Sequence, residues 1–210
     1  YYAVPVNLHN ENWVWYNKAV LAKAGVTSDP TTLDEFFAAL DKVKASGVTA
    51  LALGGQGWQE GITFRGIMLA VGGQDLYLKT FRDKDASTPQ FRKTVESFRK
   101  LKSYVDPGSP GRDWNLATGM VIEGKAGFQI MGDWAKGEFI AAGKVPGKDF
   151  ACVAAPGTGK SYTYNVDSFA LFKLKDPANQ KAQQDLAAAI MSTEFQEVFN
   201  LNKGSIPVRL

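Results

Sequence analysis

Signals for helices and strands alternate along the whole chain, and this alternation limits its fold more than any other feature. Thr32 and Glu35 form a capping box ahead of apolar residues at helical spacing, and Gly47 ends that segment. Short apolar runs at 48–53 and 126–131 have the length and composition of strands. Such alternation predicts an α/β fold with a mainly parallel sheet covered by helices.

Three further local patterns predict structure. Residues 60–71 predict a helix that ends at Gly72-Gly73, and 193 to about 201 predict another that Thr193 caps. Cys152 is the single cysteine and lies in an apolar run, which predicts a buried strand thiol that forms neither a disulfide nor a zinc site.

Composition narrows the class of protein. The 210 residues are 45% hydrophobic and 21% charged, which is typical of a globular domain. The net charge is only +3, and the basic residues are scattered among acidic ones, so we expect no nucleic-acid partner. Apolar runs stay well below the roughly 18 residues that a membrane-spanning helix needs.

The motifs of catalysis and cofactor binding are missing or incomplete. His9 is the only histidine, so we expect no histidine-based metal site or catalytic triad. Residues 156–161 end in Gly-Lys-Ser like a phosphate-binding loop, but Ala154 stands where that motif has glycine. The residues that follow are aromatic and β-branched rather than helical. We therefore predict a surface turn, no nucleotide and no other cofactor.

Aromatic and polar residues lie instead where strands meet turns. Trp58 follows a strand in a glycine-rich loop, Trp134 directly follows 126–131, and Asp167 begins another apolar strand. Ligands of open α/β sheets bind outside the carboxyl ends of strands. An indole covers the C–H face of a sugar, and polar side chains bind its hydroxyls. A tryptophan is also often a core residue, and at least one of Trp13 and Trp15 should face the core.

Five segments, in a fixed order along the chain, carry a family likeness. The most specific is the turn Gly132-Asp133-Trp134 at the end of 124–134; the others are 4–7 with His9 and 15–18, 30–36, 166–169 and 202–207. With these segments the whole chain resembles the cluster-1 extracellular solute-binding proteins, specifically the glucose/mannose-binding branch of the maltose-binding-like fold.

The resemblance implies a periplasmic-binding-protein type II fold, in which two α/β lobes are joined by discontinuous crossing strands. It assigns 1–7 to a crossing strand, 8–165 to the C-terminal lobe, 166–205 to part of the N-terminal lobe and 206–210 to the start of the last crossing. Full-length members extend further at both ends, and this chain opens on Tyr1 without an initiator Met. We therefore expect it to be part of a longer protein.

The resemblance also implies a site and a function. Trp134 would be the stacking platform, and the implied polar or flanking contacts are Asp167, Lys203, Trp58, Gln59, His9 and Asn10. The implied protein is a periplasmic receptor, monomeric and not an enzyme. It captures glucose, or alternatively mannose or galactose, in an interlobe cleft for the membrane subunits of an ABC transporter.

Two alternatives stay open at this point. A binding protein for another sugar, an oligosaccharide or a polyol would use the same indoles and polar groups. A carbohydrate-active enzyme would need a pair of carboxylates that flank the sugar, and the spacing of Asp and Glu singles out none.

Overall fold

The computed structural model describes residues 2–209, which fall into two compact units. The smaller unit joins the described residues up to Asn10 to those from Tyr164 onward, and the larger unit is Glu11–Thr163. The chain thus passes between the units twice. The assignment of these units to the lobes of a complete receptor stays a prediction.

Strands and helices alternate as predicted, and the α/β fold class is confirmed. The strands within residues 2–209 are β1 (Ala3–Asn10), β2 (Trp13–Asn17), β3 (Thr49–Ala52), β4 (Ala126–Met131), β5 (Phe150–Ala154) and β6 (Tyr164–Ala170). The helices are α1 (Lys18–Lys23), α2 (Leu33–Ala45), α3 (Gly57–Phe81), α4 (Pro89–Leu101), α5 (Trp114–Ile122), α6 (Ala135–Ala141), α7 (Pro177–Ile190) and α8 (Thr193–Lys203), with a 3₁₀ turn at Lys102–Tyr104.

The larger unit contains a four-stranded sheet in the order β3-β4-β2-β5. Strand β4 is parallel to β3, whereas β2 is antiparallel to both β4 and β5. The prediction of a mainly parallel sheet is therefore wrong. The long helical connection from β3 to β4 gives a parallel pair, but β2 separates β4 from β5, and alternation alone does not reveal that order.

The core of the larger unit lies between this sheet and its helices. All six residues of β4 are buried, as expected for a central strand. The capping box of α2 is confirmed: Thr32 Oγ1 accepts from Glu35 N at 3.2 Å, and Glu35 Oε2 accepts from Thr32 N at 3.1 Å. This start turns Phe36 toward the sheet, where its ring meets Phe128 edge-on. Trp15 is buried as well, which confirms that one of the two β2 indoles faces the core.

Two local predictions in the larger unit need correction. Helix α3 does not end at Gly73; this glycine has φ +63° and forms a kink, after which helical residues continue to Phe81. Glycine tolerates that backbone conformation, so the segment bends there without stopping. Cys152 is exposed rather than buried. It lies on β5, an edge strand of the sheet that has a neighbouring strand on one side only.

The turn at 156–161 is confirmed as a turn. Gly157 has φ +81°, and Thr158 Oγ1 accepts a hydrogen bond of 2.9 Å from Asn12 Nδ2. No helix begins directly after Ser161, so the Gly-Lys-Ser sequence has no helix N-terminus to offer a phosphate.

The smaller unit pairs β1 with β6 in an antiparallel ladder and adds α7 and α8. Its apolar core contains Val4, Val6 and Ile190. Helix α8 is capped by Ser192, whose hydroxyl accepts from Phe195 N, so the prediction of Thr193 as the cap is wrong by one residue. None of the helices in residues 2–209 is long and apolar enough to cross a membrane.

Candidate functional site

Three indoles of the larger unit gather at the starts of helices. Trp58 lies in the first turn of α3, Trp114 begins α5, and Trp134 directly precedes α6. The ring centroids of Trp58 and Trp134 are 6.2 Å apart at an interplanar angle of 47°, and those of Trp114 and Trp134 are 6.4 Å apart at 88°. Trp58 and Trp134 follow the parallel strands β3 and β4, whose carboxyl ends share one edge of the sheet.

The indoles differ in what they offer to a ligand. Trp58 is 45% exposed, whereas Trp134 is only 8% exposed and belongs to the hydrophobic core. Gly132 explains how Trp134 fits: a Cβ on this glycine would lie 2.1 Å from the six-membered ring of the indole. The Gly-Asp-Trp turn therefore folds the indole back over its own backbone. Trp58 supplies the open face of this aromatic cluster, and Trp134 supplies a mostly covered ring beside it.

A glutamine that the sequence did not single out orders the Trp58 loop. Gln56 Oε1 accepts hydrogen bonds from Trp58 Nε1 at 2.7 Å and from Gln59 Nε2 at 3.2 Å, while Gln56 Nε2 donates to Asp113. Gln59 is fully buried and its side-chain oxygen packs against Gly54, where a Cβ would clash with it. The predicted site residue Gln59 thus lies beneath the loop, and Gln56 lies at its surface.

The polar residues of the smaller unit share one face of the β1–β6 ladder. His9 pairs with Asn165 and Asn7 pairs with Asp167 in the register, so the four side chains alternate with those of the opposite face. His9 Nε2 lies 3.2 Å from Asp167 Oδ2, and Asn165 Nδ2 donates to Asp167 Oδ1 at 2.8 Å. His9 is 2% exposed, but the Asp167 side chain is 46% exposed. The Asp167 carboxylate therefore contacts His9 and Asn165 while part of its surface remains open to solvent.

Asn7 has an unusual environment on the same face. It is fully buried, and neither its Nδ2 nor its Oδ1 has a hydrogen-bond partner in the part of the chain that the structure describes. A buried unpaired amide is costly, and native proteins contain few of them. No local pattern predicts this environment, because the burial of an asparagine depends on contacts far along the chain.

Asn10 and Lys203 complete the predicted set. Asn10 is the last residue of β1, half-buried and opposite Tyr164 in the ladder. Lys203 ends α8, which Gly204 stops with φ +76°. Lys203 is half-buried as a residue and forms no ion pair with any residue from 2 to 209.

The structure thus brings the predicted site residues together in two separate groups. Trp58, Gln59 and Trp134 form one in the larger unit, and His9 joins Asp167 in the smaller unit. Within residues 2–209, no three His, Cys, Asp or Glu side chains are arranged to hold a metal ion. An α/β scaffold that gathers aromatic side chains where its strands end is typical of ligand-binding proteins.

Comparison with known proteins identifies the family. The model of the bacterial extracellular solute-binding proteins matches residues 2–197, and the chain belongs to this family. It is 51% identical over 210 residues to a "probable sugar-binding periplasmic protein" of Mesorhizobium japonicum, covering 99% of this chain and 50% of that protein. The family is one of solute-binding proteins rather than enzymes, which agrees with the class of protein that the sequence predicts.

Solved structures agree with this assignment. A chitin oligosaccharide binding protein superimposes with a TM-score of 0.79 at 25% identity, over 98% of this chain and 54% of that one. The bacterial solute receptor AcbH, described with an exclusive preference for β-D-galactopyranose, gives 0.63 at 26% identity, over 95% and 52%. The chain spans about half the length of the curated relatives it matches.

Proposed function

We propose that the complete protein is a periplasmic receptor that binds a monosaccharide and delivers it to the membrane subunits of an ABC transporter. The relative from Mesorhizobium japonicum carries a sugar-binding, periplasmic name, and a relative from Pyrococcus horikoshii, 37% identical over 214 residues, is named as an ABC transporter binding protein. The observation that carries the proposal is the contact between Trp58 and Trp134 where β3 and β4 end.

The geometry of these indoles favours a single sugar ring. Trp58 offers the open aromatic face, and Trp134 lies beside it as a mostly covered ring at 6.2 Å and 47°. The pair therefore offers one platform rather than two successive platforms along a chain of sugars. Aromatic faces bind the C–H face of a pyranose through dispersion and burial. We propose glucose as the ligand, with mannose and galactose as its nearest competitors.

The polar roles divide by exposure. Asp167 and Lys203 are proposed as hydroxyl ligands, because the carboxylate is open and the ammonium has no ion-pair partner among residues 2–209. Asn10 is proposed as a further contact. His9 and Gln59 enter the proposal as supports rather than direct contacts, since both are buried and each already binds another side chain.

A calorimetric titration of the full-length protein tests the proposal. The panel contains glucose, mannose, galactose, xylose, maltose, a chitin oligosaccharide and ribitol, and thermal unfolding of each mixture provides a second readout, because a ligand stabilises only the state that binds it. We expect one aldohexose to bind most tightly. Tight binding of an oligosaccharide or of ribitol, with no response to any aldohexose, would contradict a monosaccharide receptor.

A further inference from the structure

Both carboxylate oxygens of Asp167 lie within hydrogen-bonding distance of a side-chain nitrogen. Asn165 Nδ2 donates to Oδ1 at 2.8 Å, and His9 Nε2 lies 3.2 Å from Oδ2. The two donors reach the carboxylate from different strands, Asn165 from β6 and His9 from β1. A side chain held at both oxygens has little freedom to rotate about its terminal torsion.

The β1–β6 ladder fixes this arrangement. Asn165 lies two residues before Asp167 on β6, so both side chains leave the same face of the strand. His9 stands opposite Asn165, and Leu8 of the same strand exchanges backbone hydrogen bonds with Ile206, which adds a third segment to the sheet. The burial of His9 leaves its ring little room to turn away.

We infer that His9 and Asn165 are positioning residues that fix the Asp167 carboxylate for sugar binding. The inference rests on the proposed role of Asp167 as a hydroxyl ligand. Each carboxylate oxygen has about two lone-pair sites, so one donor on each leaves a site free for a sugar hydroxyl. A carboxylate fixed before binding loses less conformational entropy when the sugar arrives, which raises affinity.

The carboxylate keeps access to solvent, because the Asp167 side chain is 46% exposed although both of its oxygens lie close to a side-chain nitrogen. A sugar hydroxyl can therefore reach it without displacing His9 or Asn165.

Four variants of the full-length protein test the inference by titration with the best hexose of the panel. Asn165→Ala removes one donor, Asp167→Ala removes the ligand, and the double variant measures their coupling. Ser168→Ala is the control, because Ser168 lies next to Asp167 on β6 but is exposed and points to the opposite face. Asn165→Val, which favours the strand, replaces Asn165→Ala if the alanine variant unfolds.

We expect Asn165→Ala to weaken binding about tenfold, as loss of a hydrogen bond to a charged group would. In the Asp167→Ala background the same change should alter the affinity by less than about twofold, because the carboxylate it orients is gone. Ser168→Ala should stay within that margin.

The possible outcomes distinguish failure of the positioning role from failure of the proposed role of Asp167 as a hydroxyl ligand. If Asp167→Ala weakens binding and Asn165→Ala leaves it unchanged, Asn165 does not position the carboxylate. An equal loss from Asn165→Ala with and without Asp167 would mean a general structural effect and would also overturn the inference. If Asp167→Ala binds as tightly as the unmodified protein, the proposed role of Asp167 itself fails.

Discussion

The ring centroids of Trp58 and Trp134 lie 6.2 Å apart, yet the two indoles have opposite relations to solvent. Trp134 is anchored in the core above Gly132, and Trp58 stands on the helix start beside it with nearly half of its surface open. Trp134 is therefore part of the folded core, whereas Trp58 has an open face that a ligand could reach.

The first prediction separates these contributions. Trp134→Ala should lower the free energy of unfolding by about 3 kcal/mol, because it empties a large buried volume. Trp58→Ala should change it by less than about 1 kcal/mol, as a half-exposed site allows. Both should weaken hexose binding about tenfold, Trp58→Ala because it removes the open aromatic face and Trp134→Ala because it removes the ring that packs beside that face. Urea unfolding and calorimetry measure the two quantities separately.

Phenylalanine variants are the controls for both positions. Trp134→Phe and Trp58→Phe keep an aromatic ring and should retain most of the affinity that alanine removes. If neither Trp58→Ala nor Trp134→Ala changes the affinity for the hexose, the aromatic cluster is not the binding surface.

The second prediction concerns Gln56, which accepts from Trp58 Nε1 and donates to Asp113. Gln56→Leu keeps the volume but removes both interactions, so the Trp58 ring loses its fixed orientation. Hexose affinity should fall about threefold to tenfold, in line with the net value of one or two hydrogen bonds. A hexose titration monitored by tryptophan fluorescence measures this loss of affinity.

Gln74→Leu is the matched control, since Gln74 lies exposed on the same helix. It should bind as the unmodified protein does. If both leucine variants bind equally well, the orientation of Trp58 does not depend on Gln56.

Local sequence patterns predict those features of the fold and the site that depend on neighbouring residues. Strand β4 was predicted at its observed bounds and the capping box at Thr32 was correct, because both depend on neighbours within a few positions. Trp58 and Trp134 were predicted at strand ends, where glycine and turn signals are local. These features need no knowledge of the tertiary fold.

Other features depend on distant contacts and escaped prediction. Gln56 matters because of Asp113, 57 positions away, and no local pattern relates the two residues. The order of the strands places Cys152 on an edge of the sheet, and the pairing of β2 with β4 and β5 makes it antiparallel to both. Both depend on contacts between distant parts of the chain. His9 lies in an extended stretch of the sequence, and only the pairing of β1 with β6 shows that its ring lies 3.2 Å from Asp167.

The third prediction concerns Asn12, which ties the two ends of the larger unit together. Its Nδ2 donates to Thr158 Oγ1 at 2.9 Å and to Ser161 O at 3.0 Å, and its Oδ1 accepts from the backbone N and the hydroxyl of Thr163, each at 3.0 Å. Asn12→Ala removes four hydrogen bonds from the buried Thr158 and the half-buried Ser161 and Thr163, and it should lower the free energy of unfolding by about 3 kcal/mol.

Urea unfolding checks this value against Asn115→Ala, an exposed asparagine on α5. The control should lie within about 0.5 kcal/mol of the unmodified protein. Equal stability of the two variants would mean that the four hydrogen bonds of Asn12 are replaced by water at no cost.

The last prediction follows from Asp106 and Arg112, whose bidentate ion pair has distances of 2.5 and 2.8 Å. The hydrogen bonds from Arg112 hold the pKa of Asp106 below its ordinary value of 3.8, against a smaller opposing effect of burial. A carboxyl with a lowered folded-state pKa stabilises the fold above its unfolded pKa, and this contribution is lost as the pH falls below about 4.

Asp106→Asn should therefore be less stable than the unmodified protein at pH 7, and the difference should shrink between about pH 4 and pH 2. Asp83→Asn is the control, because Asp83 pairs with Arg82 at an exposed position where solvent screens the charges. Thermal unfolding across this pH range measures both, and a difference for Asp106→Asn that stays constant down to pH 2 would show that the ion pair does not contribute through its charge.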